Sequence, residues 1–145
     1  MEPRRRMALA GCVVFASVML SGRAAWAVDP CSLLTTDQAA AVLGVPDVNA
    51  GAGANRCIWT PKKYKQGAGE LTILIEGTND WAKMTGRANA VSGIGDEALQ
   101  TVIGNGAVLH VRKGNTWFVV NVHGVSLDQA TQVEQTVAKE IVAKL

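Results

Sequence analysis

Once the first 27 residues are read as an export signal, Cys31 and Cys57 are the only cysteines left to the chain. An even number of thiols in an oxidising compartment reads as a disulfide. The reading depends on the leader. Basic Arg4-Arg5-Arg6 precede an apolar run from Met7 to Leu20, and Ala25-Trp26-Ala27 forms a small-x-small cleavage site ahead of Val28. The apolar run is about 14 residues, short of the roughly 20 that cross a bilayer. The segment 1–27 is therefore expected to be removed between Ala27 and Val28, leaving no membrane span. Leu9-Ala10-Gly11-Cys12 also has the form of a lipoprotein cleavage site. Only Met7 and Ala8 part it from Arg6, and cutting there would leave an apolar mature start, so Cys12 reads as one more apolar residue of the signal.

A Cys31 to Cys57 bridge closes a loop of about 27 residues, which the chain-entropy model credits with about 3 to 4 kcal/mol. It would tie the segment before the first helix to the first convincing strand. The spacing has neither the C-x-x-C of a redox motif nor paired zinc ligands, and a bridged sulfur is no nucleophile. Residues 28–145 number 118, enough for one domain around one core. Removing 1–27 takes away four arginines and one glutamate, so the formal charge passes from +2 to −1. The basic character belongs to the leader and gives no argument for a nucleic-acid partner.

Thr35-Thr36-Asp37-Gln38 has the form of a capping box, followed by helix-forming Ala39 to Leu43 and then by Gly44 and Pro46, which predicts a helix over 36–43. Residues 46–55, PDVNAGAGAN, read as a mobile connection with room for one short edge strand near Val48. Their glycines lack the Gly-Lys-Ser/Thr ending of a phosphate loop. RCIWT (56–60) and LTILIE (71–76) read as strands, and the intervening Lys62, Lys63, Tyr64 and Lys65 as a solvated basic loop. A weak helix is expected over 79–87, with Trp81 and Met84 on one face. VSGIGDEA (91–98) leads into a strand over 98–103. Alternation along an extended chain would send Asp96 and Glu97 to opposite faces, which argues against a catalytic carboxylate pair.

The clearest element is AVLHVRK (107–113) and TWFVVNVH (116–123) about Gly114-Asn115, a pair suited to a two-residue hairpin turn. That turn sets Arg112 opposite Trp117, Val111 opposite Phe118 and His110 opposite Val119. One face then carries Leu109, Val111, Phe118, Val120 and Val122 as core. The other carries Val108, His110, Arg112, Trp117, Val119 and Asn121, with Arg112 and Trp117 placed for a cation–π contact. This half-apolar outer face, around Trp117, Arg112, His110, Val119 and Asn121, is the candidate binding surface. The plainer reading is sheet exterior, or a face partly covered by the 46–55 loop. After it, Ser126-Leu127-Asp128-Gln129 repeats the capping-box form. Leu127, Ala130, Val133, Val137, Ile141 and Leu145 predict an amphipathic helix of roughly 19 residues, with Asp128, Glu134, Lys139, Glu140 and Lys144 on its polar face.

His110 and His123 share the outer face but stand roughly 13 Å apart at 3.3 Å per residue, too far for one metal. No G-x-S-x-G or H-E-x-x-H occurs. PCSLLTTDQAAAVLG, CIWT, GIGDEA, the VRKGNTWFVVNV hairpin and AKEIVAKL together resemble small bacterial envelope domains of the domain of unknown function 3558 type, over most of residues 29–145. The resemblance implies an α+β fold with helices on an antiparallel sheet, and it transfers no activity or catalytic residue. Where many such domains are lipoproteins, this chain departs in lacking a usable attachment cysteine and a polar linker.

The expectation is therefore a single α+β domain: an antiparallel sheet of about five strands, with a short N-terminal helix and a long C-terminal helix on one face. It is read as periplasmic or secreted and as a non-catalytic binding or accessory module of the cell envelope, with no cofactor or metal. Its partner would be an envelope protein or a small ligand. The alternatives are a small secreted enzyme or an inhibitor of one.

Overall fold

The computed structural model describes residues 28–63, 66–76, 88–104 and 106–145. The export signal with Cys12 and Ala27, Tyr64 and Lys65 of the basic loop, and the 79–87 segment with Trp81 and Met84 lie outside them. A 3-10 turn, Pro30–Ser32, opens the described chain, with the Asp29 side chain accepting from the Cys31 N–H. Helix α1, Thr36–Leu43, follows. Both arms of the capping box form: Gln38 N–H donates to Thr35 Oγ1 at 3.1 Å, and Thr35 N–H donates to Gln38 Oε1 at 3.0 Å. Gly44 ends the helix in the left-handed region at φ 66°, which a residue with a Cβ enters at a cost.

The strands are β1 Val48–Ala52, β2 Arg56–Pro61, β3 Glu70–Glu76, β4 Asn89–Ala90, β5 Glu97–Ile103, β6 Gly106–Lys113 and β7 Thr116–His123. All neighbours are antiparallel, in the order β1-β2-β3-β7-β6-β5-β4. Among the described residues seven strands replace the expected five. The additional two are the edges: β1, at the place near Val48 where the 46–55 stretch left room for one short edge strand, and β4, two residues long. Neither shows the apolar alternation that marks a strand in sequence.

The β6–β7 register is the one the turn dictates, with Arg112 opposite Trp117, Val111 opposite Phe118 and His110 opposite Val119. Gly114 has φ 57° and, among the described residues, none other than glycine has a positive φ, which identifies a turn with glycine at its first central position. Leu109, Val111, Phe118, Val120 and Val122 are buried on one face and join Leu71, Ile73, Cys57 and Trp59 from β3 and β2. Each such side chain removed from water contributes about 1.5 to 3 kcal/mol.

Helix α2, Leu127–Val142, crosses this face and packs on β6 and β7, while α1 packs on β1, β2 and β3. Two further ties hold the helices: Gln38 Nε2 donates to Glu140 Oε2 at 3.1 Å, and Lys144 Nζ donates to the Leu33 carbonyl at 2.6 Å. Only one arm of the second capping box forms, Gln129 N–H to Ser126 Oγ. The helix is 16 residues, and Leu127 and Leu145 at its margins are exposed. Glu134, expected on the polar face, is fully buried against the sheet. It stands four residues from both Ala130 and Ala138 and three from Val137, inside the apolar stripe. Among the described residues no helix is long and apolar enough to cross a membrane. Cys31 and Cys57 are joined by a disulfide with their Cα atoms 5.0 Å apart, linking the 3-10 turn to β2.

Candidate functional site

The strand registers lay the outer face out in cross-strand rows. One row runs Glu76, Trp117, Arg112, Glu97 from β3 to β5. The next runs Leu74, Val119, His110, Leu99, and the third Thr72, Asn121, Val108, Thr101. The five residues picked out from sequence therefore do share one patch. Residues 46–55 do not cover it, because β1 lies in the sheet rather than over it.

The first row is an electrostatic clamp. Arg112 Nη2 meets Glu97 Oε1 at 2.7 Å, Arg112 Nη1 meets Asp96 Oδ2 at 3.7 Å, and the guanidinium lies 5.8 Å from the Trp117 ring centroid. The bond to Glu97 is the main reason that the Arg112 pKa is raised. Asp96 also accepts the Gly114 N–H at 2.7 Å and meets Lys113 Nζ at 3.5 Å. The Gly114 bond, aided by Lys113 and Arg112, holds its carboxyl below the usual range. Asp96 and Glu97 thus converge on Arg112 instead of diverging. Strand β5 begins only at Glu97, so Asp96 sits in a turn to which strand alternation does not apply. They brace the β6–β7 hairpin and hold the cation that faces Trp117.

Gly95 makes this clamp possible. Its φ is +61°, and a Cβ there would lie 2.5 Å from the Arg112 carbonyl oxygen, which accepts the Asp96 N–H at 2.8 Å. Gly95→Ala is expected to destabilise the protein by about 2 kcal/mol through strain and loss of this approach. Urea denaturation measures it, and an unchanged midpoint would mean that the turn has no such constraint.

The second and third rows hold buried polar atoms without hydrogen-bond partners. His110 is 6% exposed and its Nδ1 has none, the nearest carboxylate being Glu76 Oε2 at 3.5 Å. Asn121 Oδ1, diagonally across β6 and β7 from it, is likewise buried and unpaired. Val108 and Val119 are buried beside them, while Trp117, Arg112 and Asn121 are half-buried. The patch is therefore a shielded polar floor with an amphipathic rim, more enclosed than the open half-apolar face expected. His123 lies opposite the position of Gly106, two rows from His110, and is exposed. Among the described residues no three of His, Cys, Asp and Glu gather as metal ligands would.

A cleft of about 270 Å³ opens elsewhere, between α1 and α2, lined by Val42, Gln129, Gln132, Val133 and Thr136. Its lining carries no ionisable side chain, and Thr136 supplies its one hydroxyl. Glu76 is the outer-face residue that the sequence reading missed. Its place beside Trp117 follows from pairing between β3 and β7, strands 40 residues apart, which no local pattern announces. Comparison with family models, with curated proteins and with solved structures finds no match.

Proposed function

We propose that the chain is an exported, non-catalytic binding module of the bacterial envelope, periplasmic or secreted, and that it engages a small ligand or an envelope protein through the outer face around Trp117. The observation that carries this reading is the pair of buried, unpaired acceptor-capable atoms, His110 Nδ1 and Asn121 Oδ1, beneath the Trp117–Arg112 rim. A buried polar group without a partner costs roughly 1 to 3 kcal/mol, which a ligand hydrogen bond would recover. The disulfide fits an oxidising compartment, and the motifs resembling envelope domains fit the same setting.

Native mass spectrometry of the protein recovered from envelope extract tests it. A bound species or co-purifying partner is expected, lost in Trp117→Ala with the fold intact by circular dichroism. Recovery of the bare protein alone, or retention of the same partner by Trp117→Ala, would remove the support for this surface.

One observation favours a small enzyme instead: the Glu76 carboxylate near His110 Nδ1 is arranged as a carboxylate that orients a general base. The three rows contain no serine or cysteine to serve as nucleophile. A hydrolase screen separates the readings, since turnover abolished by His110→Ala would decide for the enzyme.

A further inference from the structure

The outer edge of the sheet carries an inference independent of the Trp117 face. β1, Val48–Ala52, is the first strand of the sheet and, among the described residues, pairs on one side only, with β2. Four of its five residues are exposed. Edges of this kind are usually blunted by lysine, proline, a bulge or a covering loop. Within Val48-Asn49-Ala50-Gly51-Ala52 there is no charge and no proline. The other edge, β4, has two residues and offers almost no ladder.

The phase of the β1–β2 ladder fixes which backbone groups are free. Gly53 N–H donates to the Arg56 carbonyl at 2.8 Å and Lys62 N–H donates to the Asp47 carbonyl at 3.1 Å. Residues 47, 49, 51 and 53 therefore turn their backbone groups toward β2, and Val48, Ala50 and Ala52 turn theirs outward. This set is self-complementary. When two copies align antiparallel about a two-fold axis at Ala50, Ala50 exchanges both its bonds with Ala50 of the second copy. Ala52 N–H then meets the Val48 carbonyl across the axis, twice. Asn49 faces Gly51, so no pair of side chains collides. The Ala50 and Ala52 amides alone supply four new backbone bonds across the axis.

Charge supports the same occupant. Asp47 comes opposite Gly53 of the second copy, and Gly53 lies against Arg56 on the same face of the sheet. Asp47, about half exposed and already 2.6 Å from Lys62, would thus lie within reach of the second copy's exposed Arg56. The contact occurs twice by symmetry.

We propose that β1 is a self-pairing edge through which two copies of this chain form a continuous antiparallel sheet. One five-residue strand buries less than the roughly 1,200 Å² of a permanent interface, so the dimer is concentration-dependent.

Analytical ultracentrifugation of the purified, oxidised protein from about 10 μM to about 1 mM is expected to show reversible dimerisation. Over the same range, amide exchange at Ala50 and Ala52 slows while other exposed amides stay unchanged. Ala50→Pro removes an N–H that the β1–β2 ladder does not use, and is expected to weaken association at least about tenfold. Arg56→Glu weakens it as well, most strongly at low salt. A protein monomeric to about 1 mM, or exchange at Ala50 and Ala52 that ignores concentration, overturns the proposal. So does a dimer that survives both substitutions, since it would be built by another surface. Should Ala50→Pro lose its circular dichroism signature, amide exchange in the unaltered protein and Arg56→Glu decide the matter.

Discussion

Reduction of the Cys31–Cys57 bridge is expected to lower the unfolding free energy by about 3 to 4 kcal/mol, out of the 5 to 15 typical of a domain this size. The bridge joins residues 26 apart in sequence. The loop it closes contains α1, only eight residues long, and β1, which has one buried side chain. Cutting it frees the 3-10 turn from β2 and enlarges the unfolded ensemble, and neither effect is offset by new contacts. Reduction of the unaltered protein is a cleaner probe than Cys57→Ser, because Cys57 is fully buried and a serine would add an unpaired hydroxyl to the core. Urea curves with and without reductant should differ in midpoint, with α1 and β1 losing amide protection first. Superimposable curves would show that the helical layer holds the N-terminal segment without the bridge.

The elements that could be read from sequence are those whose chemistry is local. The Thr35–Gln38 capping box and the Gly114-Asn115 turn depend on residues within three or four positions, and both formed with the expected partners. The core face and the Arg112–Trp117 pair followed, because a two-residue turn dictates every later pairing along the hairpin. What could not be read depends on distant pairing or on residues that contradict their position. β4 is a strand because a neighbour offers a ladder, not because Asn89-Ala90 prefers one, and β1, for which the sequence left only room near Val48, owes its full length to β2. Asp96 was misjudged because strand alternation was applied to a residue that lies ahead of the strand, in the bend before β5. The candidate patch was legible as a set of residues. Its polar floor was not, because burial of His110 and Asn121 is a property of the assembled sheet.

Glu134 is the sharpest case of a residue contradicting its position, and it makes the fold sensitive to pH. Both its charge and the stripe read from spacing assigned it to the solvent face of α2, yet it is buried together with Ala130, Val137 and Ala138. Its carboxylate accepts from Gln100 Nε2 at 2.6 Å and from Val122 N–H at 3.0 Å. These two bonds favour the charged form, but burial outweighs them and pushes the pKa up from 4.5 to about 7. Because the folded state holds this proton more tightly than the unfolded chain, the stability that this group contributes is greatest below about pH 4.5, falls as pH rises to about 7 and is level above. The loss attributable to this one group is on the order of 3 kcal/mol. Gln100 can serve both states. Its Oε1 has no partner while Nε2 binds the carboxylate, and turning the amide over would let Oε1 accept from the protonated acid. Glu134→Gln keeps an acceptor for the Val122 N–H and removes the charge. It is expected to be more stable than the unaltered protein at pH 8 and similar to it at pH 5, with a flatter profile between. Urea denaturation of both proteins across that range decides it. Parallel profiles would mean that Glu134 is not the group whose proton the fold retains, and that water or a rearrangement of α2 reaches the carboxylate.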